Sequence, residues 1–364
     1  MERKYLKREV LPITALVIME CANVGLNTLF KAATLQGMDF HVFIVYSYAL
    51  AALLLLPSIF FSSRSRALPP LRFSILRKIL LLGLIGCCSN MMGYTGINYS
   101  SPTLASAISN LTPAFTFLLA VLFRMEEVSF KRSSSVAKML GTAVSITGAF
   151  VVTLYKGPVV IALSPPSISL RLSRLQSPNA NWTLGAAFLT VEYFLVPLWY
   201  IVQTQIMREY PAELTVVCLY SSCVSLFTAI VTLFTEGNNN SWSMWMLKPD
   251  IALASIICSG LFGSCINNSI HTWALRIKGP LFVAMFKPLS IAIAVAMGVI
   301  FLSDSLYLGS LVGATIITMG FYTVMWGKAK EAEMAEGCNN NEGCLDSSQK
   351  VPLLRSCKSD DEHV

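Results

Sequence analysis

The chain has 364 residues, of which 54% are hydrophobic and only 13% charged, with a mean hydropathy of +0.62. Soluble domains carry about a quarter charged residues, so this composition excludes an ordinary water-soluble fold. The formal charge of +7 does not indicate nucleic acid, because the basic residues sit in short segments between apolar stretches rather than on one patch.

A bilayer core of about 30 Å needs about 20 helical residues. Ten apolar windows of that length follow in order: 11–31, 41–61, 78–98, 102–123, 136–155, 183–205, 213–235, 251–271, 280–302 and 306–326. The first contains Glu20, Asn23 and Asn27 and is a retained span rather than a signal peptide. With the N-terminus in the cytoplasm, the inner segments of the first half collect Arg3, Lys4, Arg64, Arg72, Arg77, Lys78, Arg124, Lys131 and Lys138, while its outer loops hold Lys31 and Lys156. That bias places both termini in the cytoplasm, the second half following more weakly. The sequons at Asn181 and Asn239 fall in outer loops.

Sliding the second half against the first discloses a weak internal repeat. Glu20 meets Glu192 and Tyr48 meets Tyr220 at an offset of 172, and Asn90 meets Asn268 and Pro102 meets Pro280 at 178. Five spans per repeat force the second unit to enter from the opposite side. The expected fold is therefore an all-α integral membrane protein of ten transmembrane helices in two inverted five-helix repeats. Its parts are a cytoplasmic segment 1–10, a first repeat 11–155, an outer linker 156–182 broken by prolines, a second repeat 183–327 and a disordered tail 328–364. Inverted repeats place a binding site near the bilayer midplane.

Ionisable groups at that depth are costly and face the bundle interior. In span one, Glu20, Asn23, Asn27 and Lys31 recur at helical spacing and share a face. In span six, Glu192, Trp199 and Gln203 share another, with Pro197 as a candidate hinge. Spans three and eight supply Asn90, Tyr94, Asn267, Asn268 and His271, the last placed near a helix end and read as interfacial. Spans four and nine supply Ser106, Asn110 and Lys287, with Pro113 and Pro288 as further hinges. Each Asn could equally serve as an interhelical hydrogen bond, and Glu20 could be structurally paired with Lys287. No metal site or cofactor is expected, and neither HExxH nor a phosphate-binding loop occurs, which argues against a membrane protease or an ATP-driven pump.

Three stretches, LPITALVIMECANVGLNTLFKAA, SPTLASAISNLTPAFTFLLAVLFRMEEV and WALRIKGPLFVAMFKPLSIAIAVAMGVIFLSDSLYLGSLVGA, resemble the plant nodulin-like, walls-are-thin-related (UMAMIT) transporters, over roughly residues 10–327. These are proteins with two EamA domains in the drug/metabolite transporter superfamily. The resemblance implies ten helices in inverted repeats and export or facilitated passage of amino acids, or of auxin in some relatives, across the plasma membrane or, less often, the vacuolar membrane. Within those stretches Glu20, Asn110, Pro113, Lys287 and Pro288 match the family pattern; Glu192 rests on the repeat alone. The expected partners are thus a small-molecule substrate, the lipid bilayer and a coupling proton, with no nucleic acid. A non-transporting scaffold acting through its tail is the alternative from another class.

Overall fold

The structure is a computed structural model and describes residues 10–35, 37–64, 72–100, 105, 108–125, 133–155, 157–161, 182–236, 245, 250–290, 292–293 and 306–340. Ser106, Asn181 and Asn239 lie outside the described residues, as do 294–302 of span nine, 162–181 of the linker and 341–364 of the tail. In hydrocarbon every backbone N–H and C=O must be satisfied within the protein, and helices do this locally. The apolar windows accordingly become α1 (Leu11–Leu35), α2 (Phe40–Arg64), α3 (Phe73–Tyr99), α4 (Thr112–Leu122), α5 (Ser133–Leu154), α6 (Trp182–Glu209) and α7 (Glu213–Glu236). Span eight is one continuous helical run made of α8 (Ile251–Cys258), a π-helical segment (Ser259–Asn267) and α9 (Asn268–Lys278). The chain then forms α10 (Pro280–Ala284) and finally α11 (Leu308–Asn340). Six of these runs are long and apolar enough to cross a bilayer unaided, and large apolar side chains such as Leu53, Phe73, Leu122 and Phe234 are exposed on the outside of the bundle.

Span two packs on span seven, five on ten, three on six, and eight on one. Exchanging each span for the one five places further along turns the first two pairs into themselves and the third into the fourth, the pattern expected of two inverted five-span units. Glycines let these pairs close up. A Cβ on Gly320 of α11 would stand 2.6 Å from the Ser145 backbone nitrogen of α5, and one on Gly185 of α6 would stand 3.1 Å from the Gly96 carbonyl of α3.

Prolines interrupt spans four and nine in the same way. Pro113 has no N–H to give the Ser109 carbonyl four residues back, so the Thr112 N–H takes that carbonyl instead and Ser109–Leu111 becomes a 3₁₀ turn ahead of α4. Pro288 likewise leaves the Ala284 carbonyl to the Lys287 N–H at 3.1 Å, and α10 gives way to turns over residues 285–288. Pro113 therefore stands in the first turn of α4 rather than inside a longer helix, whereas Pro197 is inside α6 as expected.

Two features depart from the sequence reading. Strand β1 (Val159–Ile161), in the linker, pairs antiparallel with β2 (Leu306–Tyr307), a short ribbon with no counterpart in the predicted elements. The tail expected to be disordered from residue 328 is helical as far as Asn340, because Lys, Ala, Glu and Met continue α11 at low cost. Lys330 Nζ donates to Ser133 Oγ at 2.9 Å and lies over the Trp326 ring, which fastens this extension to the start of α5.

Candidate functional site

A cavity of about 220 Å³ lies between the two halves, lined from spans one to four and six to nine. It is small beside the sites of drug-sized ligands, which run about 300–1,000 Å³, and so suits a small solute. From α1 it receives Glu20, Asn23 and Asn27; from α3, Asn90 and Tyr94; from α6, Glu192 and Trp199. Span eight contributes Asn267 and Asn268, and the turn after α10 contributes Lys287. These ten candidates, drawn from five spans, converge on one space.

Its charges are few and deep. Lys287 Nζ lies 2.9 Å from Glu20 Oε1, with the side chains 16% and 2% exposed. The approach has the distance of an ion pair but not the angles of a hydrogen bond, so Glu20 Oε1 still lacks a donor. Glu192 sits where α6 crosses α3 at Gly93, and any Cβ on Gly93 would collide with its carboxylate. Among the described residues Glu192 has no cation within 4.0 Å, and its Oε2 has no hydrogen-bond partner.

The polar amides are partly spoken for. Asn23 Nδ2 donates to Asn267 Oδ1 at 3.4 Å, joining α1 to the π segment, and Asn90 Nδ2 donates to Tyr48 OH at 2.9 Å and to the Gly86 carbonyl at 2.7 Å. The π segment closes i→i+5 bonds, so residues four and five apart share a face, which turns Ser259, Gly263, Ser264 and Asn267 together into the cavity.

The remaining wall is aromatic. Tyr48 and Tyr220 meet edge to face at 6.0 Å, Trp199 packs on Tyr220 at 5.6 Å and on Tyr200 at 5.8 Å, and Tyr200 stacks on His271 at 6.2 Å. Gly86 makes room for the Tyr220 ring, which would otherwise lie 2.6 Å from a Cβ.

Three expectations need correction. Gln203 is fully buried and donates to Thr272 Oγ1 at 2.8 Å, away from the cavity, so it joins α6 to α9. Lys31 gives its ammonium protons to the Ile97 and Asn98 carbonyls at 3.0 and 2.9 Å, satisfying the end of α3 rather than facing a solute. His271 is 4% exposed, lines the cavity and has Nδ1 2.9 Å from the Asn267 carbonyl, so it is not interfacial. Asn110 lies in the 3₁₀ turn of span four, its side chain outside the described residues. Sequence reasoning passed over Tyr48, Tyr193, Tyr200 and Tyr220, of which only the Tyr48–Tyr220 repeat match gave a signal.

A bundle of membrane-crossing helices around a buried, charged, solute-sized cavity is the architecture of a membrane carrier. A profile of the EamA-like transporter family matches residues 12–154. WAT1-related protein At3g28050 of Arabidopsis thaliana is 78% identical over the whole of both chains. WAT1-related proteins At5g40240 and At3g28080 of the same plant are 53% and 52% identical, covering 90% and 97% of this chain and 89% and 97% of theirs. A crystal structure 9% identical in sequence superposes with a TM-score of 0.60 over 88% of this chain and 97% of that one, a likeness of fold alone. The chain belongs to the WAT1-related family of EamA-like transporters, multi-pass membrane proteins.

Proposed function

We propose that this protein is a secondary transporter of amino acids, working by export or bidirectional facilitation without enzymatic chemistry. Alternating access between the two five-span repeats moves the solute, with the interruptions at Pro113 and Pro288 as hinges. The observation that carries the reading is the separation of charge in one small cavity: the Lys287 ammonium beside Glu20, and the unpaired Glu192 carboxylate on another wall. An amino acid presents the complementary pair. Its carboxylate displaces Glu20 from Lys287, and its ammonium then has the two carboxylates, Glu20 and Glu192, as acceptors. Positive residues on the inner segments support cytoplasmic termini, and the family resemblance supports the plasma membrane, with the vacuolar membrane as the alternative.

The aromatic wall of Tyr48, Trp199, Tyr200 and Tyr220 favours a second reading, export of auxin or a similar aromatic acid, with the ring against the wall and the carboxylate on Lys287. A scaffold acting through its tail fits less well, since the first part of that tail is helical and fastened to α5. Counterflow of labelled amino acids in proteoliposomes separates the readings. Exchange inhibited by unlabelled amino acids and not by indole carboxylates supports the first, and the reverse order of inhibition removes it in favour of the second.

A further inference from the structure

The cavity holds two carboxylates against one ammonium. Lys287 is committed to Glu20 at 2.9 Å, which leaves Glu192 as a carboxylate without a counter-ion among the described residues. Its seat is built for it, since Gly93 on α3 yields the volume that a Cβ would take from the carboxylate. The other titratable side chains lining the space are Tyr48, Tyr94, Tyr193, Tyr200, Tyr220 and His271, and none of them is a permanent cation. A zwitterion adds no net charge, so loading one leaves the site at minus one. An uncompensated charge is the expensive state when the cavity closes to water inside a low-dielectric bundle.

We infer that each transport step loads one net positive charge into the cavity at Glu192, so that the solute crosses as a cation or in company with a proton. The inference rests on the amino-acid reading above and adds its charge. Two carriers share that chemistry: a proton on the Glu192 carboxyl beside a neutral amino acid whose ammonium pairs with the Glu20 carboxylate released by Lys287, or the basic side chain of a cationic amino acid on Glu192 with its α-ammonium likewise on Glu20. Either brings Glu20, Lys287, Glu192 and solute together to zero, and either makes transport electrogenic.

The test uses the purified full-length protein in proteoliposomes with a potassium diffusion potential and labelled alanine or lysine. At 100 mV, interior negative, one positive charge per solute predicts accumulation of up to about 50-fold, whereas electroneutral movement predicts none. Alanine accumulated by the potential, and further by external acid, assigns the charge to a proton. Lysine carried while alanine is refused assigns it to the solute. Glu192→Gln keeps the shape and removes the seat; alanine flux then ignores the potential in the first case, and lysine flux falls at least tenfold in the second. Alanine flux indifferent to the potential in the unsubstituted protein overturns the inference while leaving amino-acid transport standing. Glu192→Gln that behaves like the parent overturns the assignment to Glu192. No movement of either solute under any potential overturns the functional reading and this inference with it.

Discussion

Removing one partner of a buried ion pair costs about 3–5 kcal/mol, because the other charge stays behind without water, whereas replacing both partners by neutral groups of similar size is close to neutral. For Lys287→Met the expected loss is about 3 kcal/mol, the low end of that range, since the Lys287 side chain is 16% exposed to the cavity while Glu20 is sealed at 2%. Glu20→Gln leaves an ammonium in a cavity that still contains Glu192, to which it can turn, so its loss is smaller, about 1–2 kcal/mol. The double variant Glu20→Gln/Lys287→Met returns to within about 1 kcal/mol of the parent, a coupling well outside the error of additivity. Thermal unfolding of detergent-solubilised protein, followed by the fluorescence of its 6 tryptophans, reads these differences. At about 2 °C per kcal/mol for a chain of this size, Lys287→Met melts about 6 °C early and the double variant within about 2 °C of the parent. Losses that simply add, or a Lys287→Met protein as stable as the parent, would refute the reasoning that this pair is buried and mutually dependent.

Pro288→Ala restores an N–H for the Ala284 carbonyl and lets span nine run on as α-helix, so flux falls while melting temperature holds or rises, measured in proteoliposomes and in detergent. Gly320→Val drives a side chain against the Ser145 nitrogen and the Gly141 carbonyl, backbone that cannot yield, and costs about 3 kcal/mol or abolishes folding. Gly25→Ala, with nothing within 4 Å of its Cβ, is the tolerated control in the same unfolding assay. At the start of α2, burial alone would raise the Asp39 carboxyl, but the neighbouring His41 side chain and the Val42 and His41 N–H groups outweigh it and hold the carboxyl below its ordinary value of 3.8. A group held low stabilises the fold above its unfolded value and loses that contribution as pH falls through the folded one. Asp39→Asn, which still caps the helix, therefore costs less than about 1 kcal/mol at neutral pH and flattens the acid limb of the melting-temperature profile below pH 4.

The spans were legible because bilayer thickness fixes helix length, and most of the cavity because charge at that depth has few structural uses. What the sequence withheld depends on distant partners. Lys31 continues the stripe of Glu20, Asn23 and Asn27, yet its ammonium meets the Ile97 and Asn98 carbonyls, which no local spacing announces. Gln203 shares a face with Glu192 but lies three turns further along α6, where that face meets Thr272 of α9 instead of open space. The apolar window ends at His271, whereas the helical run continues from the π segment to Lys278, which puts His271 well inside. The polar stretch after Gly327 reads as a tail by hydropathy, while its alanines, lysines and glutamates carry the helix on to Asn340. Gly93 gave no signal of its own, because its meaning is the carboxylate it faces across two helices.

Exchange of labelled amino acids in proteoliposomes, comparing the parent with the stability-matched Glu20→Gln/Lys287→Met double variant, tests most directly whether this cavity is the solute path. The account predicts exchange by the parent and at least a tenfold loss in the double variant at equal melting temperature. Exchange undiminished in the double variant, or absent from the parent, would contradict it.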